Sequence, residues 1–61
     1  MTASELKDAL HELLVLEIEE EQGVIERVRT YAEIGLLSRD EGLVVQTRDG
    51  SQFEIIIVKY K

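Results

Sequence analysis

The chain predicts a small α+β domain, two N-terminal helices followed by a C-terminal antiparallel β-hairpin, and three patterns carry that prediction. Leu6, Leu10 and Leu13 recur at helical spacing near the start, and Val24, Val28 and Tyr31 do so again after Gly23. The last third then holds two β-rich runs separated by Asp49-Gly50. With 61 residues and 7.0 kDa there is room for one domain, residues 1–61, and for one modest core.

The first helix is expected over residues 3–21. Ser4 ahead of Glu5-Leu6-Lys7 is a suitable N-cap, with Thr2 as the alternative. Thr2 and Glu5 have the spacing of a capping box, in which each side chain satisfies the other residue's backbone amide. Leu6, Leu10 and Leu13, flanked by Ala9 and Leu14, form an apolar stripe, with Lys7, Asp8, His11 and Glu12 mostly off it. Two periods then compete, because Leu14, Leu16 and Ile18 alternate as a strand would. Leu and Glu both favour helix, so the helix is carried to residue 21. Glu17, Glu19, Glu20 and Glu21 then form a solvated acidic end that opposes the helix dipole.

Gly23 breaks the chain, and a second helix is expected over residues 23–34. Val24, Val28 and Tyr31 share one side of it, with Ile25 and Ala32 beside them. Glu26 with Arg29, and Arg29 with Glu33, make favourable pairs on the other. Gly35 is expected to end it in a left-handed cap, with Leu36 supplying the apolar contact that often accompanies such caps. Ser38 and Glu41 repeat the capping-box spacing, but Gly42 stops any helix, so residues 38–42 form a connecting turn.

The hairpin is expected over residues 43–48 and 51–60. A two-residue Asp49-Gly50 loop sets its register: Arg48 opposite Ser51, Gln46 opposite Phe53, Val44 opposite Ile55. On the other face Val45 then opposes Glu54, and Leu43 opposes Ile56. Ile55 and Ile57 make one side of the base apolar, Ile56 and Val58 the other. One face can pack on the helices, and nothing in the chain covers the second. A lone hairpin is marginal and has two open edges. A homodimer is therefore expected, with hairpins joined into a four-stranded sheet or stacked face to face. Its interface would draw on Leu43, Val45, Ile55, Ile56, Ile57, Val58 and Tyr60.

Charge narrows the function classes. The net charge is −6, and residues 1–26 carry all of it, with eight acids against the single base Lys7. Binding nucleic acid through phosphates needs a basic stripe. Arg27, Arg29 and Arg39 are few and are diluted by Glu26, Glu33 and Asp40, so direct nucleic-acid binding is disfavoured, and an anionic membrane surface with it. No apolar run approaches the roughly 18–20 residues that span a bilayer. The N-terminal Met-Thr-Ala-Ser-Glu lacks the character of a signal peptide, so a cytoplasmic location is expected.

Catalytic chemistry finds no foothold. There is no cysteine, which removes disulfides, thiolate metal sites and cysteine nucleophiles. Asp8 and His11 lie one helical turn apart but form only a pair. His11-Glu12 begins like a zinc-protease helix, yet Val15 stands where the second His is required. Consecutive carboxylates at Glu19, Glu20 and Glu21 splay around a helix rather than converge on a cation. Ser4, Ser38 and Ser51 all sit at caps or turns, where a hydroxyl has a structural task. No catalytic residue, metal or cofactor is expected. The function expected is that of a small acidic non-catalytic homodimer mediating protein–protein interaction. The alternative is an acidic inhibitor or nucleic-acid mimic, filling the basic groove of a DNA- or RNA-handling enzyme with Glu12, Glu17, Glu19, Glu20, Glu21 and Glu26.

Overall fold

A computed structural model describes residues 1–61 and is α+β, with one helix rather than two. α1 (Ala3–Ile18) is followed by β1 (Ile25–Thr30), β2 (Glu41–Thr47) and β3 (Gln52–Ile57). The strands form one antiparallel sheet in the order β1-β2-β3, so β1 and β3 are both edges. No helix is long and apolar enough to cross a membrane.

α1 starts at the alternative cap. The Thr2 hydroxyl accepts the Glu5 N–H at 3.0 Å and the Glu5 carboxylate accepts the Thr2 N–H at 3.0 Å, a complete capping box. The helix stops at Ile18, one turn short of the expected end. Leu10, Leu14 and Ile18 face the core, whereas Leu6 and Leu13 from the expected stripe are 47% and 64% exposed. The apolar arc of α1 is wider than the surface it meets. The helix lies mainly over β1 and β2 and touches β3 least, so only the arc centred on Leu14 is covered.

The expected second helix is replaced by β1 and a single turn. Val24, Ile25, Val28 and Thr30 are β-branched, which restricts them in a helix and suits a pleated surface. As a strand the segment places Val28 opposite Val45 and fills the backbone groups along one side of β2. The helical signal survives only locally, just after the strand. Thr30 and Glu33 bond each other's backbone amides at 3.1 and 3.2 Å, a second capping box. The Leu36 N–H then closes onto the Tyr31 carbonyl at 2.9 Å, with Gly35 at φ 73°. Gly35 is thus the left-handed cap expected, but of one turn.

The hairpin forms with a register one residue away from the expected one. Leu43 pairs with Ile55, Val45 with Phe53, Val44 with Glu54 and Gly42 with Ile56. The loop has three residues, Arg48 to Gly50, not two. The Asp49 carboxylate accepts the Thr47 hydroxyl and the Ser51 N–H, which holds a tight turn, and Gly50 at φ 92° completes it. This is the three-residue hairpin with a glycine in the left-handed position. The shift matters because side chains alternate between faces. It aligns Leu43, Val45, Ile55 and Ile57 on the face beneath α1. Leu43 is fully buried there beside Val28 and Val45, with Leu10, Leu14, Ile18, Ile25 and Ile55 around them.

Candidate functional site

Two surfaces emerge from this arrangement. The first lies along β3. Because α1 is displaced toward β1, Phe53 stays 57% exposed on the helix-bearing face of the sheet. On α1, Leu6, Ala9, Leu13 and Leu16 are spaced by three, four and three residues as along a helix–helix seam. Leu13 and Leu16 are 64% and 59% exposed. At the N-terminal end of this flank, Leu6 borders an open groove with Ile57, Val58 and Tyr60.

The second surface is the opposite face of the sheet, which no helix covers. Alternation puts Arg27 and Arg29 of β1, Val44 and Gln46 of β2, and Glu54 and Ile56 of β3 on it. One end is shielded by Tyr31, buried against Gly42. A Cβ at Gly42 would collide with the Tyr31 ring and approach the Ile55 carbonyl oxygen to 2.6 Å, so only glycine admits the ring. Burial, then the neighbouring carboxylates of Glu54 and Asp40, push the Tyr31 phenol above its ordinary pKa. The rest of the face, including Ile56, is open.

Polar groups elsewhere serve the fold. Lys7 pairs with Asp8 at 2.8 Å, and this hydrogen bond raises its pKa against the opposing effect of burial. His11 Nε2 faces Glu33 at 4.0 Å, so Asp8 and His11 are turned to different partners. Glu33 is held below its ordinary pKa mainly by the Thr30 N–H and then the Thr30 hydroxyl. No group of three or more His, Cys, Asp or Glu side chains is gathered to hold a metal ion.

Arg48 is the residue whose role sequence reasoning missed. Its guanidinium donates to the carbonyl oxygens of Ile18, Glu20 and Glu21 at 3.1, 3.0 and 3.0 Å. It thereby caps the helix C-terminus from the hairpin tip. The acidic residues consequently do not form one track. Glu12 and Glu17 lie on α1, Glu19 is its C-cap, Glu20 and Glu21 lie in the following turn, and Glu26 on β1 accepts the Gln46 side-chain amide at 2.9 Å.

The expected interface set divides in two. Leu43, Val45 and Ile57 are buried and Ile55 is half-buried beneath α1, so these four belong to the chain's own core. The register shift is the reason, since it collects them on one face. Ile56, Val58 and Tyr60 remain exposed. Comparison of the chain with protein-family models, curated proteins and solved structures finds no match in any of the three.

Proposed function

We propose that this is a small non-catalytic protein that acts as a homodimer and mediates protein–protein interaction. The observation that carries the reading is an imbalance of apolar side chains. Twelve large ones are exposed, from Met1 to Tyr60, while five are buried. Single exposed apolar residues are ordinary, but contiguous ones mark interaction surfaces. The depressions in the surface are all open, and the carboxylate and imidazole side chains that line them come at most in pairs, His11 with Glu12 and Glu17 with Glu20.

The bare sheet face offers a partner an apolar strip, Val44 and Ile56, flanked by Arg27 and Arg29 on one side and Glu54 on the other. Purification of the tagged chain with and without Ile56→Glu tests the reading. A protein that copurifies with the wild type and is lost from the variant is the expected result. A chain that recovers no partner, or recovers the same one through Ile56→Glu, overturns partner binding at this face.

A further inference from the structure

We infer that a second copy of the chain joins along the β3 edge, making one continuous six-stranded sheet with both helices on the same side. This rests on the homodimer reading above and assigns its surface. The two edges of the sheet are not alike. β1 carries a register break between Ile25 and Arg27 and three charged side chains, Glu26, Arg27 and Arg29. Breaks and charges are the usual means of blocking strand addition. β3 has no break and a single charge, Glu54, after which Ile55-Ile56-Ile57-Val58 runs uninterrupted.

Hydrogen-bond parity shows what that edge presents. The Thr47 N–H bonds to the Ser51 carbonyl at 2.9 Å, and bonded pairs alternate along an antiparallel ladder. Ser51, Phe53, Ile55 and Ile57 therefore bond toward β2, and Glu54 and Ile56 point their N–H and C=O groups outward. A two-fold axis normal to the sheet through Ile55 or Ile56 pairs these groups with their equivalents. Glu54 then lies opposite Ile56 or Val58 of the second copy rather than opposite another Glu54. The same axis leaves the two helices apart, each over its own β1 and β2, with the exposed Phe53 of both copies on the joined strands between them.

The chain exposes 4777 Å², more than the about 4,000 Å² of a folded monomer of its mass. A second copy is the occupant whose shape and hydrogen-bonding groups the edge matches by symmetry.

Light scattering on a sizing column, with amide hydrogen exchange on the same samples, tests this. The wild type should have a mass near twice 7.0 kDa, with the Glu54 and Ile56 amides protected. Ile56→Pro removes an N–H that β2 does not use, and Phe53→Lys adds charge on an exposed side chain of the joining strand. Each should give single-chain mass with the wild-type circular dichroism. If Ile56→Pro unfolds, Phe53→Lys and the exchange data decide. A dimer that keeps its mass in Phe53→Lys and exchanges Glu54 and Ile56 freely overturns the edge assembly and leaves the homodimer reading standing. A monomer from micromolar to millimolar concentration overturns both.

Discussion

Arg48, at the tip of the β2–β3 hairpin, donates a hydrogen bond to the backbone carbonyl of Ile18, thirty residues earlier, at 3.1 Å. A helix leaves its last four carbonyls without intrahelical partners, and nearby acids make that end still more negative. One guanidinium offers several donors in a fixed fork. It bonds Ile18, Glu20 and Glu21 together, and so offsets the electrostatic penalty of placing Glu17, Glu19, Glu20 and Glu21 there.

Removing that fork should loosen the helix end without touching the core. Arg48→Ala is expected to lower stability by about 1–2 kcal/mol, the range of a lost helix cap. That corresponds to a fall in Tm of roughly 4–8 °C per kcal/mol for a domain this small. Arg48→Lys should recover only part of the loss, since an ammonium cannot fork to three carbonyls. Thermal melts of the three proteins measure this, and equal melting for Arg48→Lys and wild type would remove the geometric argument.

Tyr31 and Gly42 should behave as one unit. Gly42→Ala drives a methyl into the Tyr31 ring and is expected to destabilise by about 1–3 kcal/mol, as overpacking does. In a Tyr31→Ala background the ring clash is gone and the same substitution should cost less, with only the approach to the Ile55 carbonyl oxygen remaining. A double-mutant cycle in urea reads the coupling directly, and additive losses would show that the two residues do not meet.

Acid should weaken the fold through two carboxylates. Asp49 is held below its ordinary pKa first by the Thr47 hydroxyl and then by the Ser51 N–H, and Glu33 by Thr30. A depressed folded-state value gives stability that is present above the unfolded pKa, about 4, and lost as pH falls through the folded value. Stability should therefore decline as pH falls below about 5, and the decline should be shallower in Asp49→Asn and Glu33→Gln. Urea midpoints across that range are the measurement, and unchanged slopes in both variants would assign the acid sensitivity elsewhere.

The core has little reserve. Leu43 is fully buried at the centre of the cluster, and truncating a buried leucine to alanine costs about 2–5 kcal/mol. A single core of this size supplies about 3–5 kcal/mol. Leu43→Ala is expected to be largely unfolded at 25 °C, whereas the exposed Leu13→Ala should retain its circular dichroism.

Local chemistry was the legible part of this sequence. Thr2 with Glu5, Gly35 as a left-handed cap, and Asp49-Gly50 as a hairpin turn are each set by residues within a few positions of one another. β1 was not legible, because Val24, Val28 and Tyr31 satisfy a helical period while Val28 and Thr30 also satisfy a strand. The deciding factor is the free side of β2, whose residues pair with β1 across thirteen or more positions. The hairpin register turned on one side chain: Asp49 bonds Thr47 and Ser51 and draws Arg48 into the loop. That single slip decided which isoleucines are core and which are surface. The Arg48 clamp spans nearly half the chain and leaves no local trace.

The irregularity between Ile25 and Arg27 bears on how far association can proceed. In the vocabulary of polymer chemistry, a sheet with two reactive margins is bifunctional and grows without limit, while one with a single reactive margin is monofunctional and can only couple. By that measure β1, irregular near one end, and β3, regular throughout, leave the molecule one regular margin, so the coupling inferred above would stop at two chains.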